Sequence, residues 1–438
     1  MLNTLKKHAK SAMLVSITAA MTFSFSGHSS AKPLGATTAS FQTVTEIEDW
    51  GAAVTKVIVD INTPIPQSSV LEETFQVHVK RSDNRLANPF LEEGYRKVTD
   101  AYVSDAKGKP AVRGKYVVLE MEIGPSVSLG SPLNYYGRNL WIETDYTITQ
   151  TKDIVYESGT ISGLTISKSN GEIRELIEDF STGSFTHEDT TLTYANYEPQ
   201  KTKGVEKNPL VIWLHGGGEG GTDATIPLAA NKATAFASDE IQAYFDGAHV
   251  LVPQTPTRWM EGFTGNADGT SIYQEALIAL IEDYVANHKD VDPNRIYIGG
   301  ASNGGYMTML MIRDYPQYFA AAFPVCEGLR DWLISDADIQ ALKETPIWFV
   351  HAKNDTTLLP DQNTVPTYNR LLAAGATNVH LSLFDDVHDT SGLYKNADGT
   401  PHQYPGHWSW IYVYNNDPVT TINGKSTTIM EWMAAQSK

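Results

Sequence analysis

Cysteine is almost absent from this chain: Cys326 is the single cysteine among 438 residues. No intrachain disulfide can therefore form, and the folded protein must be stabilised by its packed cores. Cys326 follows the apolar residues Phe323, Pro324 and Val325. This context predicts a buried structural thiol rather than a reactive one.

Basic residues and long apolar segments are also scarce. The chain has 33 Lys and Arg against 51 Asp and Glu, which gives a formal net charge of −18 at pH 7. So acidic a surface repels phosphate backbones and anionic lipid headgroups, which argues against nucleic acid or membrane partners. After residue 31, no segment is long and apolar enough to span a bilayer. The histidines lack H-E-x-x-H or similar ligand spacing, so we expect neither a metal nor an organic cofactor.

The first 31 residues have the pattern of an export signal. Three lysines lie within residues 6–10, residues 12–25 are mostly apolar, and Ser29-Ser30-Ala31 is a small-residue cleavage site. The apolar part is shorter than the roughly 20 residues of a comfortable membrane span. We therefore expect residues 1–31 to be a cleaved signal peptide and the protein to be secreted to the extracellular space. A retained membrane anchor is the alternative.

The length of the chain indicates two domains, and the first of them, residues 38–180, has the pattern of a β-sandwich. Apolar residues alternate or run together in short segments that turn-rich stretches separate, which is typical of strands. The strand segments are residues 54–61, 74–79, 116–123 and 140–148. We predict a small all-β domain of immunoglobulin-like type. Its aromatic residues Tyr135, Tyr136 and Trp141 are expected in the core, with substrate or carbohydrate binding as the alternative.

The second domain, residues 185–438, alternates strands with helices. This order favours a doubly wound, mostly parallel sheet with helices on both faces. The predicted strands are residues 191–197, 209–215, 249–253, 319–325, 346–351 and 378–384, and residues 271–287 form an amphipathic helix. The fold class is therefore α/β, preceded by the all-β domain.

A further strand, which begins at Arg295, leads directly into Gly300-Ala301-Ser302-Asn303-Gly304 and then into a helical pattern. The order of strand, glycine-bracketed serine and helix is that of a nucleophile elbow, in which a tight turn lifts the serine hydroxyl clear of the sheet edge. A G-x-S-x-G sequence also arises by chance in loops, so the motif depends on its context. We predict Ser302 as the nucleophile.

The partners of the serine are expected further along the chain, in the order Ser, Asp, His. Asp355 lies on the loop after the second strand past the nucleophile, where such a fold keeps its orienting carboxylate; an ordinary turn aspartate is the alternative. The histidines downstream are His380, His388, His402 and His407. We predict His388 as the base because it directly follows the last strand, and we keep His407 in reserve.

A run of glycines, His215-Gly216-Gly217-Gly218-Glu219-Gly220-Gly221, follows the apolar strand 209–215. Such a run frees backbone N–H groups to converge on an anionic oxygen. A phosphate loop is excluded because no Gly-Lys-Ser/Thr closes the run. We predict an oxyanion hole made by the backbone N–H groups of Gly217 and Asn303.

Four motifs together resemble those of α/β-hydrolase esterases related to polyhydroxybutyrate depolymerases and to prolyl oligopeptidase catalytic domains. They are residues 214–219, 292–297, 300–305 and 351–355. A β-sandwich before such a domain is similar to secreted EstA-type esterases with an immunoglobulin-like domain. Those relatives often have glycine where this chain has Ala352. The resemblance implies a serine carboxylic-ester hydrolase that works through an acyl-enzyme.

Two other functions are weighed against the esterase. A serine peptidase of prolyl oligopeptidase type would need a β-propeller, which about 150 residues of sandwich cannot supply. A catalytically silent, polymer-binding protein would have lost a residue of the triad, whereas all three positions are filled here.

The substrate is expected to be a small-molecule or polymeric ester. Trp259 and Tyr306 are the predicted substrate-binding residues, and Met260, Phe263, Trp408 and Trp410 are further candidates for an apolar pocket. Short acyl or aryl esters, aliphatic polyesters and feruloylated sugars are all compatible with such a pocket.

Overall fold

The computed structural model describes residues 39–200 and 206–438, and the predicted signal peptide lies outside them. The first part of the described chain consists of β strands joined by loops and short 3-10 turns. Its strands are β1 Ser40–Glu48, β2 Gly51–Pro66, β3 Phe75–Ser82, β4 Phe90–Arg96, β5 Val98–Ser104, β6 Arg113–Met121, β7 Leu133–Tyr136, β8 Arg138–Trp141, β9 Glu143–Gln150, β10 Ile154–Tyr156, β11 Gly159–Ile161, β12 Thr165–Ile166 and β13 Ser169–Arg174.

Nine of these strands form two sheets packed as a sandwich, while β7 with β8 and β10 with β11 form separate two-stranded hairpins. One sheet has the order β13-β1-β2-β6-β5 and the other the order β12-β9-β3-β4. In β3 the side chains of Phe75, Val77 and Val79 are buried while those between them are more exposed, as the period of two predicts. The inward side chains of both sheets join in one apolar core. The predicted sandwich is confirmed.

The second part of the chain alternates strands and helices. Its main strands are β14 Ser181–His187, β15 Thr190–Tyr197, β16 Asn208–Leu214, β17 His249–Gln254, β18 Val291–Ala301, β19 Ala321–Val325, β20 Ile347–Ala352 and β21 Val379–Phe384. Two short pairs follow, β22 Val387–His388 with β23 Gln403–Tyr404, and β24 Val419–Ile422 with β25 Lys425–Thr428. The helices are α1 Ile226–Ala230, α2 Asp239–Phe245, α3 Gln274–Asn287, α4 Asn303–Asp314, α5 Asp336–Leu342, α6 Thr364–Ala373, α7 Trp410–Tyr414 and α8 Ile429–Ala434.

The eight main strands form one sheet in the order β14-β15-β17-β16-β18-β19-β20-β21. Pairing is parallel from β17 to β21 and antiparallel at the β14–β15 edge. Every residue of β16 is buried, which explains its unbroken apolar run, and separate apolar cores cover the two faces of the sheet. The predicted α/β class is confirmed. The edge strand β14 begins before residue 185, the predicted start of this domain. No helix in the described part of the chain has the length and apolarity to cross a bilayer.

The sandwich packs directly on the α/β part of the chain, and the described residues belong to one compact unit. The hairpin β7–β8 lies at the junction, where Trp141 Nε1 donates a hydrogen bond of 2.8 Å to Thr225 Oγ1. Lys232 and Asp49 form an ion pair of 2.6 Å across the same junction. One apolar core contains residues of both parts, among them Leu133 and Trp213. The sandwich is therefore held against the end of the sheet from which the glycine run emerges.

Candidate active site

Ser302 occupies a strained turn between strand β18 and helix α4. Its backbone angles are φ 57° and ψ −109°, a combination that side chains with a Cβ rarely adopt. The Ser302 N–H donates to the carbonyl of Val325 at 2.9 Å, which anchors the turn to the neighbouring strand β19. The predicted strand–turn–helix geometry is therefore present around this serine.

A continuous chain of hydrogen bonds links Ser302, His407 and Asp355. The Ser302 Oγ lies 2.9 Å from His407 Nε2, and His407 Nδ1 lies 2.7 Å from Asp355 Oδ2. The other carboxylate oxygen of Asp355 accepts from the backbone N–H groups of Thr357 at 2.8 Å and Leu358 at 3.0 Å. These contacts fix the imidazole with one nitrogen toward the carboxylate and the other toward the hydroxyl.

The structure places His407, and not the predicted His388, beside Ser302. His388 lies in the short strand β22, and its Nδ1 contacts Asp386 Oδ1 at 2.6 Å and Tyr412 Oη at 3.2 Å rather than Ser302. After β21 the chain first forms the antiparallel pair β22–β23. The 3-10 turn Gly406–Trp408, which follows β23, then places His407 beside Ser302. Closeness to the last strand along the sequence was therefore not closeness to the serine in space.

One feature of the sequence distinguishes His407, the histidine that lies beside Ser302. Gly406, the residue before His407, lies so close to the loop that carries Asp355 that a Cβ would come within 2.6 Å of the Asn354 carbonyl oxygen. A glycine is required there by contact with backbone, not by a turn. The glycine before His407 thus reflects the close contact between the loop of His407 and the loop of Asp355.

His351, which sequence reasoning missed, is a second histidine on Asp355. Its Nε2 lies 3.0 Å from Asp355 Oδ2 and 2.9 Å from the carbonyl of Leu358, so Nε2 carries the proton. Its Nδ1 faces Thr364 Oγ1 at 2.8 Å. Burial raises the pKa of Asp355, but hydrogen bonds from His351 and His407 outweigh burial and hold the pKa well below its usual range. Asp355 is thus kept as a buried carboxylate.

Two further buried acids lie close by, and neither has a cationic side chain within hydrogen-bonding distance among the described residues. Burial raises the pKa of Glu219 to about 7 and that of Glu327 to about 8. Glu327 is connected to His351 through Thr364, whose Oγ1 lies 3.4 Å from Glu327 Oε1. The single thiol, Cys326, is also buried, and burial raises its pKa well above the usual value.

Gly217 and Asn303 lie beside Ser302 in the same cavity. Their backbone N–H groups form no hydrogen bond with any residue that the structure describes. The Asn303 side chain is held by Met260, whose backbone N–H donates to Asn303 Oδ1 at 3.2 Å. Both N–H groups are thus free to donate to a bound oxygen.

The cavity above Ser302 has a volume of about 680 Å³ and lies between the two parts of the chain. The α/β part of the chain contributes Met260, Trp408 and Trp410 to the cavity wall, and the sandwich contributes Trp50 and Tyr135. The side chain of Tyr135 is 63% exposed, so this aromatic is available at the mouth of the cavity rather than packed in the sandwich core. Aromatic side chains from both halves therefore line part of the cavity, beside polar residues such as Arg258 and Asn231.

The two predicted substrate-binding residues do not reach this cavity. Trp259 is fully buried, with its ring 5.2 Å from that of His215. Tyr306 is also fully buried, and its hydroxyl bonds Gly269 N at 2.9 Å and Thr270 O at 2.8 Å. Both side chains belong to the same buried apolar core. Phe263 is 73% exposed and does not line the cavity either.

Comparison with known proteins bears on both halves of the chain. The model of the esterase Ig-like N-terminal domain matches residues 40–163, and that of the prolyl oligopeptidase family matches residues 273–344. A solved structure described as a thermostable esterase is 27% identical, covers 91% of this chain and 100% of its own, and superposes with a TM-score of 0.75. The predicted resemblance is confirmed. The chain combines an immunoglobulin-like domain with an α/β-hydrolase domain.

Two curated relatives match the hydrolase part. Poly(3-hydroxyalkanoate) depolymerase C of Paucimonas lemoignei is 28% identical over 239 residues, which are 44% of this chain and 51% of the relative. Feruloyl esterase B of Neurospora crassa is 26% identical over 170 residues, 37% of this chain and 52% of that relative. The chain thus spans about half the length of the curated relatives it matches. By name these similar proteins are a depolymerase and esterases.

Proposed function

We propose that the protein is a secreted serine hydrolase of carboxylic esters that uses Ser302, His407 and Asp355 as a catalytic triad. The observation that carries this proposal is the unbroken hydrogen-bonded chain from the Ser302 hydroxyl to the Asp355 carboxylate, open to a cavity at the serine end. The similarity to esterases supports it. Export is supported by the signal-like pattern of residues 1–31.

In the first half of the reaction, Ser302 Oγ attacks the ester carbonyl while His407 Nε2 takes the hydroxyl proton. Asp355 holds the proton on Nδ1 and stabilises the imidazolium that forms. When the tetrahedral intermediate collapses, His407 returns the proton to the departing alcohol and an acyl-serine remains. Water, deprotonated by the same imidazole, then releases the acid and regenerates the hydroxyl.

The negative charge of the tetrahedral intermediate would be bound by the free N–H groups of Gly217 and Asn303. These donors are fixed before the substrate arrives, so they need little reorganisation when charge develops on the oxygen. Losing one such donor typically costs about 3–4 kcal/mol of transition-state stabilisation. Stabilisation of the oxyanion by these two donors distinguishes a catalytic serine from one that only contacts a histidine.

The aromatic part of the cavity wall suits an acyl or aryl group, and the open mouth between the two halves suits either a small or a polymeric ester. The names of two relatives refer to a poly(3-hydroxyalkanoate) and to feruloyl esters, and both kinds of substrate would fit this cavity. A serine peptidase is the second candidate because the prolyl oligopeptidase model covers the elbow and its helix. The β-sandwich in place of a propeller favours the ester hydrolase.

The purified protein should be assayed with p-nitrophenyl esters of increasing acyl length beside a peptide p-nitroanilide. We expect ester cleavage to exceed peptide cleavage, and Ser302→Ala to abolish it. Faster peptide cleavage would make the peptidase the better assignment. Unchanged ester turnover in Ser302→Ala would remove the proposed nucleophile.

A matched pair of variants tests the base. We expect His407→Ala to lower kcat by on the order of 10⁴-fold or more, as for other triad histidines. His388→Ala removes the imidazole of strand β22, whose side chain is 39% exposed against 15% for His407, and should leave kcat within about twofold of wild type. The reverse ranking would restore His388 as the base.

A further inference from the structure

The hairpin β7–β8 of the sandwich is held as a firm support rather than a loose loop. Arg85 donates to the backbone carbonyls of Asn134 at 2.9 Å and of Arg138 at 2.8 Å. The carboxylate of Asp83 binds Arg85 at 2.6 Å and also accepts from the Asn134 amide at 2.8 Å. Both strands of the hairpin are thereby tied to the body of the sandwich, so its tip has a defined position.

Asn139, in strand β8, binds the glycine run of the hydrolase half twice. Its backbone N–H donates to the carbonyl of Gly218 at 2.7 Å, and its side-chain Nδ2 donates to Glu219 Oε1 at 2.8 Å. The second carboxylate oxygen of Glu219 accepts from Asn231 Nδ2 at 3.0 Å. Glu219 is only 3% exposed, so it lies in a site that water hardly reaches, and a backbone hydrogen bond from Gly216 acts on its carboxylate together with these two amides.

The backbone of Glu219 contacts the peptide that carries a donor of the proposed oxyanion hole. Its N–H donates to the carbonyl of Gly216 at 3.4 Å. This carbonyl shares one planar peptide unit with the N–H of Gly217, so fixing the carbonyl direction fixes the N–H direction. Glycines restrict their own backbone little, and the direction of this peptide must therefore be set by its partners.

We propose that Asn139 is a positioning residue: by holding Glu219, it orients the Gly216–Gly217 peptide so that the Gly217 N–H points at the oxyanion. The immunoglobulin-like domain thereby takes part in the reaction without touching the reacting atoms. The inference rests on the proposed function, because it needs Ser302 as nucleophile and Gly217 as donor. It assigns a role in transition-state binding to the domain that lacks the triad.

The expected loss of activity depends on which contacts of the Gly216–Gly217 peptide remain when Asn139 is replaced by alanine. His215 Nδ1 lies 2.6 Å from the same Gly216 carbonyl, so the peptide keeps one side-chain partner. The backbone bond from residue 139 to Gly218 also remains in any variant. We therefore expect about a tenfold loss, less than the 10²- to 10³-fold loss that follows removal of an oxyanion donor.

The test compares full-length Asn139→Ala with wild type in three measurements. We expect kcat for a p-nitrophenyl ester to fall about tenfold with KM within twofold, since a misdirected donor weakens binding of the transition state more than of the substrate. The inhibition constant of a trifluoromethyl ketone, whose adduct places an oxyanion in the hole, should rise by the same factor. The rate of labelling of Ser302 by a fluorophosphonate should fall in parallel, and this measurement does not depend on the choice of ester.

Trp141→Phe is the matched control because it removes one hydrogen bond of equal length between the same hairpin and Thr225, away from the glycine run. It should change neither kcat nor the inhibition constant, whereas an equal loss would show that Asn139 only holds the two halves together. A double variant of Asn139 and Glu219 to alanine should lose no more activity than Glu219→Ala alone, because both residues act in series.

Unchanged kcat, inhibition and labelling in a folded Asn139→Ala protein would overturn the inference and leave the proposed function intact. Failure of the proposed function has a different signature, in which Ser302→Ala still cleaves esters or is still labelled. Thermal unfolding of each variant shows whether the protein is folded in these assays.

Discussion

Replacing Gly305 with alanine sets two opposing effects against each other at the candidate active site. Gly305 is the third residue of helix α4, where alanine is favoured over glycine by about 1 kcal/mol. Against this, a Cβ would lie 2.7 Å from the Val325 carbonyl oxygen and 2.8 Å from Glu327 Cα. Both atoms are backbone, so helix and strand must separate by about half an ångström, and such overpacking typically costs about 1–3 kcal/mol or more.

The overlap cost less the propensity gain leaves Gly305→Ala destabilised by up to about 2 kcal/mol. For a domain of this size, a loss of about 2 kcal/mol lowers Tm by roughly 4–8 °C. The displacement should also reach Ser302, because the Val325 carbonyl that the new methyl group pushes is the acceptor of the Ser302 N–H. The measurements are calorimetric unfolding and the rate of fluorophosphonate labelling of Ser302.

Gly265→Ala is the control for this experiment. No atom lies within 4 Å of the Cβ that it would add, so its stability should stay within about 0.5 kcal/mol of wild type. If Gly305→Ala instead unfolds at or above the wild-type temperature and is labelled at the wild-type rate, helix propensity outweighs the overlap and the predicted displacement of Ser302 does not occur.

Three further predictions concern buried polar groups. Burial raises the pKa of the Glu327 carboxyl group to about 8 from an ordinary 4.5, so the unfolded chain loses this proton at lower pH than the folded protein does. The free energy of unfolding therefore falls as pH rises from about 4.5 to about 8. We expect Glu327→Gln to raise Tm more at pH 8 than at pH 5 in calorimetry. His351→Phe removes a donor from Asp355, so kcat should fall while KM holds in steady-state kinetics, and stability should drop by about 1–3 kcal/mol in denaturant unfolding. Tyr306→Phe should cost about 1 kcal/mol of stability but leave KM for short esters unchanged, and a raised KM would return Tyr306 to the substrate site.

The sequence was most informative where a single local requirement determines the residue type. Strand β16 is buried on both faces and reads as an unbroken apolar run, while the strained turn at Ser302 requires glycines around it. The fold class, the elbow and the loop of Asp355 could be predicted for this reason. Short elements such as helix α1 and strand β14 carry too little pattern to be recognised.

Features that depend on distant contacts were the ones missed. The predicted strand 140–148 is broken at Ile142, whose N–H donates to the carbonyl of Pro132 instead of continuing the ladder. The path that brings His407 rather than His388 to Ser302 depends on the pairing of β22 with β23. In the same way, Tyr135 could not be placed in the cavity because its wall is completed only when the two halves pack together.

The burial of Cys326 has a practical consequence for studying how the two halves move. Its thiol is inaccessible and protonated, so it should resist maleimides that modify exposed thiolates. A cysteine introduced at Val112, a sandwich position that is 88% exposed, would then be the one thiol to carry a fluorescent reporter. Optical measurements of the sandwich during turnover thus require no prior removal of native cysteine.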